Sequence, residues 1–251
     1  RLCRDWSSDV CSSDLKMNQV VEICKQLVSD IEKTQQANIL RAAKVISEAY
    51  SKGNKVFVTG SGHSHTFAEE LYGRAGGLAF FVPILTTELT IVEHPTKSTY
   101  LERLPGYAAI LVELYGLKQK DVVIIASNSG RNAYPIEMAL ESKSKGCHVI
   151  AVTNIKHSLS TEPRHNSKKR LMDVADVVID NCGEIGDAVV SLKSLSEKIV
   201  PTSSISNAII AQMLNYEIVE DLLEKGIEPP IFTSANVDGG FEKNQELMKK
   251  Y

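Results

Sequence analysis

Four short apolar runs restrict this chain more than any other feature: KVFVTG (55–60), DVVIIAS (121–127), CHVIAVT (147–153) and ADVVID (175–180). Each is continuous and β-branched rather than alternating, so each needs apolar cover on both faces, as parallel strands in the middle of an α/β sandwich do. A fifth run, LAFFVPIL (78–85), is of the same kind. Between the runs lie helical segments: HTFAEELYGR (65–74), YLERLPGYAAILVELYG (100–116) with a break at Pro105, and PIEMALESKSKG (135–146), opened by Pro135. Strands alternating with helices predict an α/β fold with a doubly wound parallel sheet.

The flanks are helical. Val20, Cys24, Leu27, Val28 and Ile31 recur at three and four residues, and Ile39, Ala43, Ile46 and Tyr50 repeat this after a polar stretch, which predicts two helices before the first strand. Gly53 and Asn54 stop the second. A long helix lies within 201–226, opened by Thr and Ser and closed at Gly226. We divide the chain into N-terminal helices (16–52), an α/β core (53–226) and a tail (227–251) that begins irregularly and ends in a polar helix. The tail cannot form a core alone, so it packs across the domain or onto a neighbouring subunit. Residues 1–15 stand apart, holding the one tryptophan and two of five cysteines. From Asp5 to Leu15 they resemble the in-frame translation of a sequencing-library adapter. We set 1–15 aside as an artefactual or disordered extension with no helical period.

With 43% hydrophobic and 24% charged residues and a net charge of −3, the chain has no basic field for nucleic acid or anionic lipid, and no run of membrane-spanning length. A cytoplasmic protein is expected. Cys24, Cys147 and Cys182 are widely spaced, as reduced thiols are.

Chemistry belongs at the carboxyl ends of the strands, where helix N-termini offer free N–H groups. Three polar stretches fall there: TGSGHSHT (59–66), SNSGRN (127–132) and PTSS (201–204). In the second, Ser127 and Ser129 supply hydroxyls, Gly130 lets the backbone approach closely, and Asn132 is placed to cap the following helix, so the loop suits a phosphate. The first loop has Gly60 and Gly62 after a strand. It lacks the third glycine of a dinucleotide fingerprint, and the next strand ends in FFVPIL without the carboxylate that would hold a ribose hydroxyl. Neither serine of the later loop lies in a Gly-x-Ser-x-Gly frame. His63 and His65 have a spacing that can chelate, but no further ligands are positioned, and neither metal nor cofactor is expected.

These residues resemble the sugar isomerase (SIS) domain family of phosphosugar-binding proteins, over about Met17 to Tyr251. The resemblance rests on GSGHS, SNSGR and PTSS, and SNSGRNAYP is also similar to the phosphate loop of the N-acetylmuramic acid 6-phosphate etherases. It implies a five-stranded parallel sheet of flavodoxin-like type, a small-molecule phosphosugar ligand, and a homodimer or tetramer with sites near subunit interfaces. It places the phosphate against Ser61, Gly62, Ser64, Ser127, Asn128, Ser129, Gly130 and Asn132, and the sugar against Thr202, Ser203 and Ser204. Arg131 either adds a charged donor to the phosphate or pairs with a carboxylate such as Glu137.

Where isomerases and etherases of this family carry a catalytic glutamate, the matching position here is Arg74, and Glu70 one turn earlier reads as its ion-pair partner. Aldose–ketose isomerisation needs a base beside the carbonyl and an acid for ring opening. In TTELTIVEHPTKS (86–98), which also holds Glu88, His94 and Lys97, Glu93 is the candidate base; His63 is the candidate acid and His165 a third candidate. The expected function is aldose–ketose isomerisation of a sugar or amino-sugar phosphate. An etherase-like lyase and a non-catalytic phosphosugar sensor acting through a protein partner are the alternatives.

Overall fold

The structure is a computed structural model that describes residues 7–94 and 96–251, with side chains from Asn18 onward. Five strands, β1 (Val56–Gly60), β2 (Phe81–Ile84), β3 (Val122–Ala126), β4 (His148–Thr153) and β5 (Val177–Asp180), form one sheet in the order β2-β1-β3-β4-β5. Every neighbouring pair is parallel. The expected doubly wound sheet is present, with each run trimmed by a residue or more.

The period of two sorts the strand residues between two cores. Val56, Val58, Val122, Ile124, Ile150 and Val152 join one, with helices α1 (Ser7–Ser51), α2 (Thr66–Leu71) and α8 (Ser203–Glu224). Phe57, Val123, Ile125, Val149 and Ala151 join the other, with helices α4 (Tyr107–Leu114), α5 (Ala133–Ser144) and α7 (Leu171–Val174). Helices α3 (Lys97–Leu101) and α6 (Ile155–Leu159) are single turns beside the strand ends.

The expected N-terminal pair is instead one helix, Ser7–Ser51, and the stretch Ser7–Leu15, read as lacking a helical period, lies within it. The polar interval does not break the helix. It contains no glycine or proline, and Gln35 continues the buried stripe of Ile31 and Ile39. Its Oε1 accepts from Asp180 N at 3.0 Å, so a polar residue in the stripe satisfies an N–H of edge strand β5.

A hairpin of β6 (Ala188–Val190) and β7 (Ile199–Pro201), which the apolar pattern does not announce, links β5 to α8. The tail packs on its own chain. Phe232 N donates to Gly77 O at 2.9 Å and Ala79 N to Pro230 O at 2.8 Å, before α9 (Gly240–Lys250) closes the chain. No helix among the described residues is long and apolar enough to cross a membrane.

Candidate functional site

In a 2-1-3-4-5 sheet the connections leave in opposite directions on either side of β1 and β3, opening a crevice between their carboxyl ends. Gly60 and Ala126 are register partners there, so the loops that begin at Ser61 and Ser127 leave the sheet side by side, about 5 Å apart.

The first loop curls into a 3₁₀ turn, Gly62–His65. Glycine is required at Gly60, where a Cβ would overlap the Ser64 carbonyl. The two histidines do not converge: His63 is exposed, while His65 is buried with Nδ1 against Gly62 O and Nε2 3.2 Å from Glu69.

In the second loop Ser127 Oγ accepts from Gly130 N at 3.2 Å, and Gly130 has a φ of +57°. Ser129 Oγ has no hydrogen-bond partner among the described residues. Asn128 Oδ1 accepts instead from Asn181 at 2.9 Å, toward the end of β5. The buried Nε of Arg131 is unpartnered. Glu137, its proposed partner, accepts from Gly106 N at 2.7 Å and lies 3.4 Å from His165 Nε2, and the His165 side chain is only 15% exposed.

The carboxylate that ties the loops together is Glu102, which the sequence reading passed over. Ser61 Oγ donates to its Oε2 at 2.6 Å and Asn132 Nδ2 to its Oε1 at 2.5 Å. Asn132 thus stands at the N-cap of α5 without capping it through its side chain, contrary to expectation. Its Oδ1 accepts from Arg164 Nη1 at 2.8 Å. The Glu102 carbonyl serves the helix end, accepting from Tyr134 N at 2.9 Å. Burial lifts the Glu102 carboxyl above the usual carboxylate range, against the pull of Ser61, Arg103, Arg164 and Asn132. Desolvation, with Arg131 and Arg103 nearby, lowers the Arg164 guanidinium. Arg103 and Arg164 act on this half-buried carboxylate and Arg131 acts on Arg164, so three cations gather near a single carboxylate, a setting for a dianion. One local signal marked Glu102: a carboxylate at a helix C-cap runs against the helix dipole.

Glu93, the candidate base, is exposed and pairs with Lys97 at the start of α3; hydrogen bonds from Lys97 and Thr87 hold its carboxyl below the usual range. Arg74 pairs with Glu70, which also accepts from Gln212 at 3.0 Å. At the start of α8 the Asp187 carboxylate accepts from Thr202 N at 3.0 Å, Ser203 N at 2.8 Å and Ser203 Oγ at 2.6 Å, whereas Ser204 is exposed. Thr202 and Ser203 are therefore engaged within the chain.

Residues 21–154 match the family described as SIS domain. A UPF0309 protein of Halalkalibacterium halodurans is 43% identical over 233 residues, covering 92% of this chain and 96% of that one. Among solved structures, a phosphoheptose isomerase from Francisella tularensis superposes with a TM-score of 0.51 at 17% identity, covering 82% of this chain and 97% of that one. The sugar isomerase domain of an RpiR transcription factor from Sphaerobacter thermophilus gives 0.51 at 14% identity, covering 92% and 95%.

Proposed function

The chain belongs to the SIS-domain family, and from that premise we propose that it binds a phosphosugar in the crevice between β1 and β3 and interconverts its aldose and ketose forms. The observation that carries the reading is the half-buried Glu102 carboxylate bonded to both polar loops, with Arg103 and Arg164 beside it. Ser129, Ser64 and the loop amides hold the phosphate, and Arg131 offers its unpartnered Nε to it. Glu102 takes the proton from the carbon next to the carbonyl and returns it to the neighbouring carbon. Its raised pKa brings the carboxylate nearer the basicity such a transfer needs. His165, oriented by Glu137, is the ring-opening group. No cofactor enters this scheme.

A lyase that eliminates a group β to a carbonyl would use the same carboxylate, so Glu102 also supports the etherase-like alternative. Incubation with hexose, hexosamine and N-acetylhexosamine phosphates, and with N-acetylmuramic acid 6-phosphate, separates the readings. Aldose–ketose exchange is expected; lactate release would favour the lyase, and thermal stabilisation without turnover would favour a sensor. Ser129→Ala is expected to weaken every phosphorylated ligand by about tenfold or more, and normal binding by that variant would place the phosphate elsewhere. The homo-oligomer that the family resemblance implies is tested by sedimentation velocity, where a monomer would refute it.

A further inference from the structure

Helix α8 has its C-terminal end at the amino edge of the sheet, where Asp221 bonds Ser47 near the end of α1. Its N-terminal end therefore lies at the carboxyl edge, and the helix packs against the Gly62–His65 turn of the first loop. The stripe it buries runs Ser203, Ser206, Asn207, Ile210, Ala211 and Leu214. From Ile210 onward the stripe is apolar and belongs to the core. The first residues are polar, and most are satisfied within the chain. Ser203 is held by Asp187, and Ser206 Oγ donates to Ser203 O at 3.0 Å.

Asn207 differs. It is 3% exposed, and its Oδ1 is enclosed with no hydrogen-bond partner. Native interiors rarely leave a carboxamide oxygen in this state, because desolvating it without a donor is unfavourable. The residue sits about one helical turn into α8, where the buried stripe changes from polar to apolar.

We propose that Asn207 is the residue by which α8 reads the sugar: its carboxamide accepts a hydroxyl or amine of the ligand at the floor of the crevice and sets the sugar's position relative to Glu102. The proposal rests on the phosphosugar reading above and assigns to Asn207 the role that the sequence assigned to Thr202, Ser203 and Ser204. Asn207 is a positioning and specificity residue; the proton transfer belongs to Glu102. A site built to bond a substrate hydroxyl loses discrimination when that bond is removed.

The test compares wild type with Asn207→Leu, an apolar replacement of similar volume, and with Asn207→Ala. Thermal unfolding is followed without ligand, with inorganic phosphate, and with fructose 6-phosphate, glucosamine 6-phosphate and N-acetylglucosamine 6-phosphate. Asn207→Leu is expected to raise Tm without ligand, because an unsatisfied acceptor is replaced by an apolar group. Both variants are expected to bind inorganic phosphate like wild type and to weaken the best phosphosugar by about tenfold or more.

A lower Tm for Asn207→Leu marks a structural asparagine and overturns the proposal. So does phosphosugar binding that both variants leave unchanged, or wild type that binds inorganic phosphate and none of the sugars. If Asn207→Leu does not fold, the proposal stands or falls on the ligand series with Asn207→Ala. Wild type that binds neither phosphate nor phosphosugar refutes the underlying phosphosugar reading instead.

Discussion

Glu102 and Glu93 are chemically identical, and their environments separate them. Glu93 is exposed beside Lys97, whose hydrogen bond holds its carboxyl below the usual range. Glu102 is desolvated, and its carboxyl stays protonated to higher pH than in the unfolded chain. Below the ordinary carboxylate range both states are protonated, and Glu102 costs the fold nothing. As pH rises through that range the unfolded chain ionises first, so stability is lost until pH passes the raised folded value, and the loss then persists. Glu102→Gln is thus expected to raise stability near pH 8 and to leave it unchanged near pH 3.5, measured by denaturant unfolding. The same change is expected to abolish turnover while Glu93→Gln retains it. An inactive Glu93→Gln enzyme beside an active Glu102→Gln enzyme would reverse the assignment.

At the scale of elements, the two loops depend on glycine for different reasons. Gly62 needs it only for a φ of +56°, with open space where a Cβ would stand. Gly130 needs it twice: its φ is +57°, and a Cβ would stand 3.2 Å from both Leu171 Cβ and Thr153 Oγ1. Gly62→Ala is expected to cost about 1 kcal/mol from backbone strain alone. Gly130→Ala is expected to cost about 2 kcal/mol or more and to shift the Ser127–Asn132 loop, weakening inorganic phosphate as well as sugars. Isothermal titration of both variants with phosphate checks this, and equal affinity would show that the loop does not hold the anion.

The strand ends and their turns were legible because their signals are local: a continuous apolar run, then glycine and hydroxyls. The β6–β7 hairpin was not, since its strands, AVV and IVP, are only three residues long and pair mostly at the surface. Asp187, at the foot of that hairpin, lies in sequence 15 and 16 residues from the backbone amides it satisfies.

For the whole molecule, the tail completes the core from outside. Residues 230–232 run beside 76–79, Ile231 packs on the core, and Tyr50, stacked on Phe80 at 4.2 Å between centroids, meets the Tyr251 hydroxyl at 2.6 Å. A chain ending at Gly226 uncovers Leu78 and Phe80, two side chains worth about 1.5–3 kcal/mol each when buried. Its thermal midpoint is expected to fall accordingly, and an unchanged midpoint would show that the tail contributes nothing to the fold.

From its sequence alone this protein determined its class, its five strands and the loops at which chemistry belongs, because periodicity and turn chemistry act over a few residues. The tertiary structure alone decided which carboxylate enters the crevice and which polar residue of α8 is left without a partner. Glu93 lies in an irregular loop and Glu102 at the C-cap of a one-turn helix, and neither position announces in sequence how far its carboxylate is withdrawn from water. The docking of α3 against the α5 N-terminus, through contacts about 30 residues apart in the chain, half-buries one and leaves the other in water.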